Sequence, residues 1–410
     1  MSQRPAPLTG IRVLDLTRVL AGPWCTQNLA DLGAEVIKIE RPGAGDDTRA
    51  WGPPYLKDEA GNDTTEAAYY LSANRNKMSV ALDIASPRGA ELVRELALQS
   101  DILVENFKVG GLKKYGLDYE SLKAINPRLI YCSITGFGQT GPYASRPGYD
   151  FMIQGMGGLM SITGERDDRP GGGPQKAGIP IADLITGMYA SVAVCAALAH
   201  RAKSGKGQHL DLALLDSLVA VLANQGANFL ATGTAPGRLG NDHPNITPYQ
   251  VFKVADGAVI VACGNDNLFR KFCEVAGRPE LADDARFATN GKRVANRAEL
   301  TRILSEIMVK RSMRDWLDAL EAAGVPCGPI NNLEQVFAEP QALARGLRME
   351  LPHPSAGKVA LTRSPMRFSE TPVQHEMPPP TLGQHTDEVL KGLLKKSPSE
   401  IEKLRSEGIV

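Results

Sequence analysis

The chain has 410 residues, 43% apolar and 22% charged, an ordinary balance for a folded globular protein with room for more than one domain. Lys+Arg 46 against Asp+Glu 46 leaves no net charge, which excludes bulk attraction to nucleic acid or a membrane surface but not a local basic patch. Cys25, Cys132, Cys195, Cys263, Cys273 and Cys327 are scattered without a CxxC or a His/Cys cluster, so no metal site is expected and reduced thiols in a cytoplasmic protein fit the pattern.

The first ten residues carry no apolar signal core, so no leader is expected. Ile11–Leu16 reads as a short strand ending on an Asp. A helix follows from Pro23 to about Leu32, then the apolar run Val36–Ile39. This β–α–β spacing predicts parallel strands. The loop Thr17–Pro23 lies at a strand's carboxyl end, where open α/β sheets bind ligands. Arg41–Arg49 is a polar Gly-rich loop but not a P-loop, since no Lys-Ser/Thr opens a helix after it. Met78–Leu82 predicts a strand, Pro87 to about Gln99 a helix, Ile102–Val104 a strand, Tyr119–Ile125 a helix and Leu129–Ile134 a strand. The alternation predicts a mostly parallel sheet wrapped by helices, an α/β fold.

Gly136-Phe-Gly138-Gln-Thr-Gly141 matches GxGxxG, but Pro142 follows where a dinucleotide site needs a helix. A nicotinamide-dependent oxidoreductase therefore stays only as an alternative from another class. Lys176–Tyr189, KAGIPIADLITGMY, delivers one carboxylate, Asp183, ahead of a long apolar helix to about Ala202. Asp183 reads either as a helix cap or as a nucleophile at a strand-to-helix junction. The longest apolar stretch, around Met188–Leu198, reads as a buried helix too short to span a bilayer.

His209–Leu214 predicts a strand and Asp216–Phe229 a helix. Thr232–Asn245 is a Gly/Pro/Asn-rich boundary, followed by the strand Ala258–Cys263. Helices Asn267–Ala276, Ala298–Met308 and Met313–Ala322 form a small α-rich unit. A C-terminal helix is expected near Thr386–Leu394.

From residues alone, the histidines give no zinc pattern and no GxSxG elbow is present. His243, in the boundary loop, reads as a ligand contact or a solvated loop residue. Arg18, Arg41, Arg75, Lys77 and Lys114 follow predicted strand ends and could pair phosphates. That much predicts an enzyme for an anionic or phosphate-bearing ligand.

Longer motifs add a resemblance. Leu14-Asp-Leu-Thr-Arg-Val-Leu-Ala-Gly-Pro, Leu32-Gly-Ala-Glu-Val-Ile-Lys-Ile-Glu-Arg-Pro, Asn74-Arg-Asn-Lys, Val104-Glu-Asn-Phe, Ser133-Ile-Thr-Gly-Phe-Gly and Ala182-Asp-Leu-Ile-Thr-Gly resemble the class III CoA-transferases, a family that includes formyl-CoA:oxalate and carnitine CoA-transferases. Pro42–Arg49, Trp51-Gly-Pro-Pro, Gly328–Asn332, Val336–Gln341 and Leu382–Thr386 resemble the branch that takes CoA from succinyl-CoA to glutarate. The resemblance implies Asp183 as the nucleophile, forming an aspartyl anhydride and then an aspartyl-CoA thioester. It implies CoA contacts at Arg18, Val19, Arg41, Ser72, Ala73, Asn74, Arg75, Asn106, Phe107, Lys114, Gly136, Phe137 and Gly138. It further implies a Rossmann-like large domain from residues 1–225 and 330–410, a small inserted α/β domain at 226–329, and an interlocked homodimer. The partners are an acyl-CoA and a small carboxylic acid, with CoA as substrate and no permanent cofactor, no metal, no nucleic acid and no membrane.

Two features depart from other branches. Gly240–Tyr249 lacks the glycine run that covers the nucleophile in the formyl-CoA:oxalate branch, which weakens oxalate as acceptor. Tyr149 stands where related 2-methylacyl-CoA racemases carry a His. A tyrosine, with an ordinary pKa of about 10, is a poor neutral-pH base, which argues against racemisation. Itaconate, citramalate and carnitine-like acids remain alternative acceptors.

Overall fold

A computed structural model describes residues 5–410. Packing divides them into two compact units. The first runs to Gly157 and adds Gly178–Val221 and Pro340–Val410; the second comprises Gly158–Ala177 and Leu222–Glu339.

In chain order the first unit opens with β1 (Arg12–Asp15), α1 (Ala21–Asp31) and β2 (Glu35–Glu40), followed by the hairpin β3 (Tyr55–Lys57) and β4 (Asp63–Ala67). Then come α2 (Ala68–Leu71), β5 (Lys77–Ala81), α3 (Pro87–Leu98), β6 (Ile102–Glu105), α4 (Tyr119–Ile125), β7 (Ile130–Thr135) and α5 (Asp150–Met156). The chain then contributes α6 (Leu159–Ile162) to the second unit and returns with α7 (Ile181–Ser204), β8 (His209–Ala213) and α8 (Leu214–Ala220).

Six strands pair in the order β5-β2-β1-β6-β7-β8, every pairing parallel. Counted along the chain within the sheet this is the doubly wound order 3-2-1-4-5-6, whose direction reverses between β1 and β6. The strands read as near-continuous apolar runs because both faces are covered. Leu14, Ile37, Leu103 and Tyr131 point into a core with Leu92, Val93 and Leu96 of α3. On the opposite face α1 and α7 pack together, and Gly187 lets them approach: a Cβ there would lie 2.6 Å from the Ala21 carbonyl oxygen. Helix starts follow sequence chemistry. Ser86 accepts the Gly89 N–H ahead of Pro87, the first residue of α3.

α7 is 24 residues and contains an 18-residue window of mean hydropathy 1.8, long and apolar enough by composition to cross a membrane, whereas the apolar stretch read from the sequence is too short to do so. Its Ala182, Thr186, Gly187, Ala190 and Val194 are buried, and Arg201 pairs with Asp101 at 2.8 Å. The strand expected ahead of Asp183 is absent: Gly178–Pro180 is loop and the helix begins at Ile181.

The second unit holds α9 (Ala223–Thr232), the antiparallel pair β9 (Tyr249–Val254) and β10 (Gly257–Ala262), and helices α10 (Asp266–Val275), α11 (Asn290–Ala295), α12 (Arg297–Met308) and α13 (Met313–Ala322). β11 (Cys327–Pro329) pairs on β10, and α14 (Leu333–Ala338) ends the unit. Its core is Phe252, Phe269, Phe272, Phe287 and Trp316, the indole donating to the Met308 carbonyl at 2.8 Å. The sequence-based division at 225 and 330 put Gly158–Ala177 elsewhere. That segment packs here because Arg238 and Gly240 bond the carbonyls of Glu165 and Gly164. The expected helix Asp216–Phe229 is two helices that break at Val221-Leu222.

The chain closes in the first unit with α15 (Pro340–Ala344), the hairpin β12 (Arg348–His353) and β13 (Gly357–Thr362), and helices α16 (Thr386–Gly392) and α17 (Pro398–Ser406). All six cysteines are free thiols.

Candidate active site

The site is built at the carboxyl ends of β1 and β6, where the strand order reverses. Beneath it lies a buried charged layer. Burial raises the Asp15 carboxyl, but Lys77, Lys38 and the hydroxyls of Thr17 and Thr26 outweigh it and hold the group at about 2. Lys77 donates to Asp15 at 3.2 Å, to the Pro23 carbonyl at 2.9 Å and to Asn74 at 2.9 Å. Burial pulls Lys77 down to about 8 against the pull of Asp15. Lys38 donates to the Thr17 carbonyl at 2.7 Å and to Asp46 at 2.9 Å, with both side chains of that pair fully buried.

Above this layer sits a cleft of about 590 Å³ lined by residues of the first unit. Arg18 lies over the Phe107 ring at 5.7 Å, and the Arg18 backbone exchanges two hydrogen bonds with the Asn106 side chain. Arg41, Lys108, Lys114 and Arg146 line the cleft with no carboxylate partner among the described residues. Cations left unpaired at a cleft mouth suit phosphate groups. The Gly136 and Gly148 backbones touch, since a Cβ at Gly136 would lie 2.5 Å from the Gly148 Cα. This contact closes the loop after β7 on itself and presents Tyr149 and Asp150 beside the cleft.

Asp183 reaches the cleft from the first turn of α7. The helix N-cap is Pro180, and the Asp183 carboxylate accepts no hydrogen bond from the described residues, so it does not act as the cap. Asp150 serves that end of the helix instead: its carboxylate accepts the Ala182 N–H at 2.8 Å and the Gln154 amide at 2.7 Å. Burial, with the like charge of Asp150 adding to it, pushes the Asp183 carboxyl up to about 7. A carboxylate short of hydrogen bonds and solvent is poorly stabilised as a ground-state anion, which favours nucleophilic attack. Tyr69 of α2 lies within electrostatic reach; burial and then the charge of Asp183 raise its phenol to about 12, and it packs edge-on to Trp51 at 5.1 Å.

The structure thus brings Arg18, Val19, Arg41, Asn106, Phe107, Lys114, Gly136 and Asp183 into one cleft. Others lie elsewhere. Ala73 and Asn74 are fully buried, Asn74 holding Lys77 and the Tyr70 carbonyl. Arg75 is 4% exposed and forks onto Asp31, so neither it nor Lys77 is a free phosphate ligand. Ser72 is exposed on the end of α2 and donates to the Tyr69 carbonyl at 2.7 Å. Phe137 packs on Tyr143 and under Arg146, and the Gly138 N–H turns back to Thr135 at 3.0 Å. His243 sits in the second unit against Tyr249.

Sequence reading missed Lys108 and Arg146; the available signal was their place in loops after predicted strands, Lys108 directly after Asn106-Phe107 and Arg146 in the turn Ser145–Gly148. It also missed Asp46, Tyr69 and Asp150, whose roles depend on contacts distant in sequence.

The sequence profile of CoA-transferase family III matches residues 8–386. The chain is 53% identical to the succinate–glutarate CoA-transferase of Agrobacterium fabrum over 96% of this chain and 97% of that one. It is 48% identical to the human succinyl-CoA:glutarate CoA-transferase over 98% of this chain and 90% of that one. A crystal structure of a CaiB/BaiF family protein from Brucella suis superposes with a TM-score of 0.83 at 52% identity, covering 95% of this chain and 100% of that one.

Proposed function

The chain belongs to CoA-transferase family III, and on that premise we propose that it moves CoA from succinyl-CoA to glutarate through covalent intermediates on Asp183. The observation that carries this is Asp183 itself, set in a cleft lined by cations without carboxylate partners and accepting no hydrogen bond from the described residues. The names of the Agrobacterium and human relatives support succinyl-CoA and glutarate as the pair.

The Asp183 carboxylate attacks the succinyl thioester carbonyl, forming a mixed anhydride and releasing CoA thiolate. The thiolate attacks the aspartyl carbonyl, giving an enzyme thioester and free succinate. Glutarate then attacks that thioester, re-forming an anhydride and thiolate. Attack of the thiolate on the glutaryl carbonyl gives glutaryl-CoA and restores Asp183. One difficult acyl exchange becomes four easier steps. CoA is held by Arg18, Val19, Arg41, Asn106, Phe107, Lys114 and Gly136, where cations meet phosphate and Phe107 offers a stacking face.

We assign the first unit as the large CoA-binding domain, formed by both ends of the chain, and the second as the inserted domain. The working molecule is taken to be an interlocked homodimer. Exposed Phe151, Met188, Tyr189 and Val192, the last 63% exposed, support a face that a second copy would cover.

The test is thioester exchange followed by mass spectrometry, with succinyl-CoA and a panel of glutarate, itaconate, malate, oxalate, carnitine and acetate. Dominant glutaryl-CoA, absent with Asp183→Ala, supports the reading. Full exchange by Asp183→Ala overturns the nucleophile, and preference for another acid overturns the acceptor.

A further inference from the structure

Val19 has φ of +70°, a left-handed conformation that a β-branched residue adopts only under constraint. It lines the cleft between Arg18 and the start of α1. Backbone strain of this kind persists where surrounding groups over-determine it.

The constraint is visible in full. The Val19 N–H donates to Asp46 Oδ1 at 3.2 Å. The same oxygen accepts the Thr48 N–H at 3.0 Å and the Thr48 hydroxyl at 2.7 Å, which fixes the carboxylate in place. Asp46 Oδ2 accepts from Lys38 at 2.9 Å, and Lys38 also holds the Thr17 carbonyl at 2.7 Å. One buried ion pair therefore grips the loop on both sides of Arg18: at the Thr17 carbonyl and at the Val19 amide. Between those grips the Arg18 backbone is clamped to Asn106, and its guanidinium lies over Phe107 and pairs with Asp47 at 2.9 Å.

We propose that the buried Lys38–Asp46 pair is a positioning device that holds Val19 left-handed, so that Arg18 and Phe107 are set in advance as one binding face for the nucleotide end of CoA. The inference rests on the cleft being the CoA site. A free enzyme with this face already formed has less ordering to complete when the ligand arrives. Both side chains of the pair are fully buried, so it acts through the Thr17–Val19 backbone.

The test is a cycle between the pair and the strained residue. Replacing a buried ion pair by apolar residues of similar volume is often neutral for folding, so Lys38→Met with Asp46→Leu removes the grip, and the thermal midpoint reads how far the fold depends on the other bonds the pair makes. Asp46→Asn is the companion variant: it keeps an acceptor for the Val19 and Thr48 N–H groups and removes only the charge opposite Lys38. Glycine adopts φ of +70° without strain, so Val19→Gly removes what the pair must hold. CoA dissociation constants are measured by calorimetry beside thermal midpoints. With Val19 in place, the double replacement is expected to weaken CoA binding about tenfold; in the Val19→Gly background the same replacement is expected to weaken it less than threefold. Equal fold-changes in the two backgrounds, or no change in either, overturn the proposal. Phe107→Ala separates the premise from the inference. If it leaves CoA binding unchanged, the cleft reading fails. If it weakens binding while the cycle shows no coupling, only the positioning role fails.

Discussion

Asp150 accepts the backbone N–H of Ala182 at 2.8 Å, and Asp183, the next residue of the same helix, is pushed up to about 7 by its burial and by the charge of Asp150. One carboxylate thus secures the end of the helix and raises the energy of the other as an anion. Attack on a thioester needs the deprotonated Asp183. Activity at low pH is therefore expected to rise with pH through about 7. In Asp150→Asn the amide oxygen still takes the Ala182 N–H, but the like charge is gone. The Asp183 pKa then falls, and the acid limb of kcat/KM moves to lower pH. Profiles of both enzymes between pH 5 and 9 decide it; limbs that coincide would show that Asp150 does not tune the nucleophile.

The same shift has a stability consequence of fixed sign. A carboxyl whose folded pKa lies above its unfolded value binds more protons when folded between the two values, so its charge costs stability as pH rises from about 4 to about 7. Above that window the cost is fully present; below it the cost vanishes. Asp183→Asn is expected to abolish transfer by at least about a thousandfold. It should also stabilise the fold at pH 8 on the order of 2–4 kcal/mol, with no gain at pH 4. Denaturant melts at the two pH values measure this, and an equal effect at both would place the strain elsewhere.

The parts of this site legible in the sequence are those built from local signals. Strands β1, β2, β6 and β7 announced themselves because strands covered on both faces are near-continuous apolar runs, interrupted within β2 by the buried Lys38. Their order in the sheet then put Thr17–Val19 and Asn106-Phe107 together at the switch point. The hairpin β3–β4 was silent because Asp63-Thr-Thr-Glu carries no apolar alternation. Val221-Leu222 hid a helix break inside an apolar run. Asp183 as a helix cap was a sound local expectation, and it failed because Asp150, 33 residues away in sequence, supplies the acceptor for the helix end. Arg75 looked like a free cation because its partner, Asp31, lies 44 positions away.

That last pairing gives a prediction that separates scaffold from site. Arg75→Ala leaves the fully buried Asp31 carboxylate without its fork and is expected to cost about 3–5 kcal/mol of stability. Phe107→Ala removes a partly exposed ring and is expected to weaken CoA binding about tenfold, as loss of an aromatic stacking face typically does. Its thermal midpoint should fall less than that of Arg75→Ala. Calorimetric CoA titration and thermal unfolding of the two variants read both quantities. An Arg75→Ala protein of ordinary stability with impaired CoA binding would return Arg75 to the ligand.

Gly187 tests whether the nucleophile depends on how closely α1 and α7 pack. It lies four residues after Asp183, on the same face of α7. A Cβ at this position would sit 2.6 Å from the Ala21 carbonyl oxygen and 3.1 Å from the Trp24 Cβ. Backbone cannot yield as a side-chain tip can, so Gly187→Ala must push the two helices apart. Overpacking of this kind costs about 1–3 kcal/mol. Ala21 and Asp183 both line the cleft, so the same displacement changes the distance between the cleft wall and the nucleophile. The variant is expected to unfold at lower temperature and to lose at least tenfold in kcat, because an ångström of misplacement is enough to spoil an attack geometry. A destabilised variant with full kcat would mean that the helix contact supports the fold alone, and that Asp183 takes its position from the Asp150 side of the cleft.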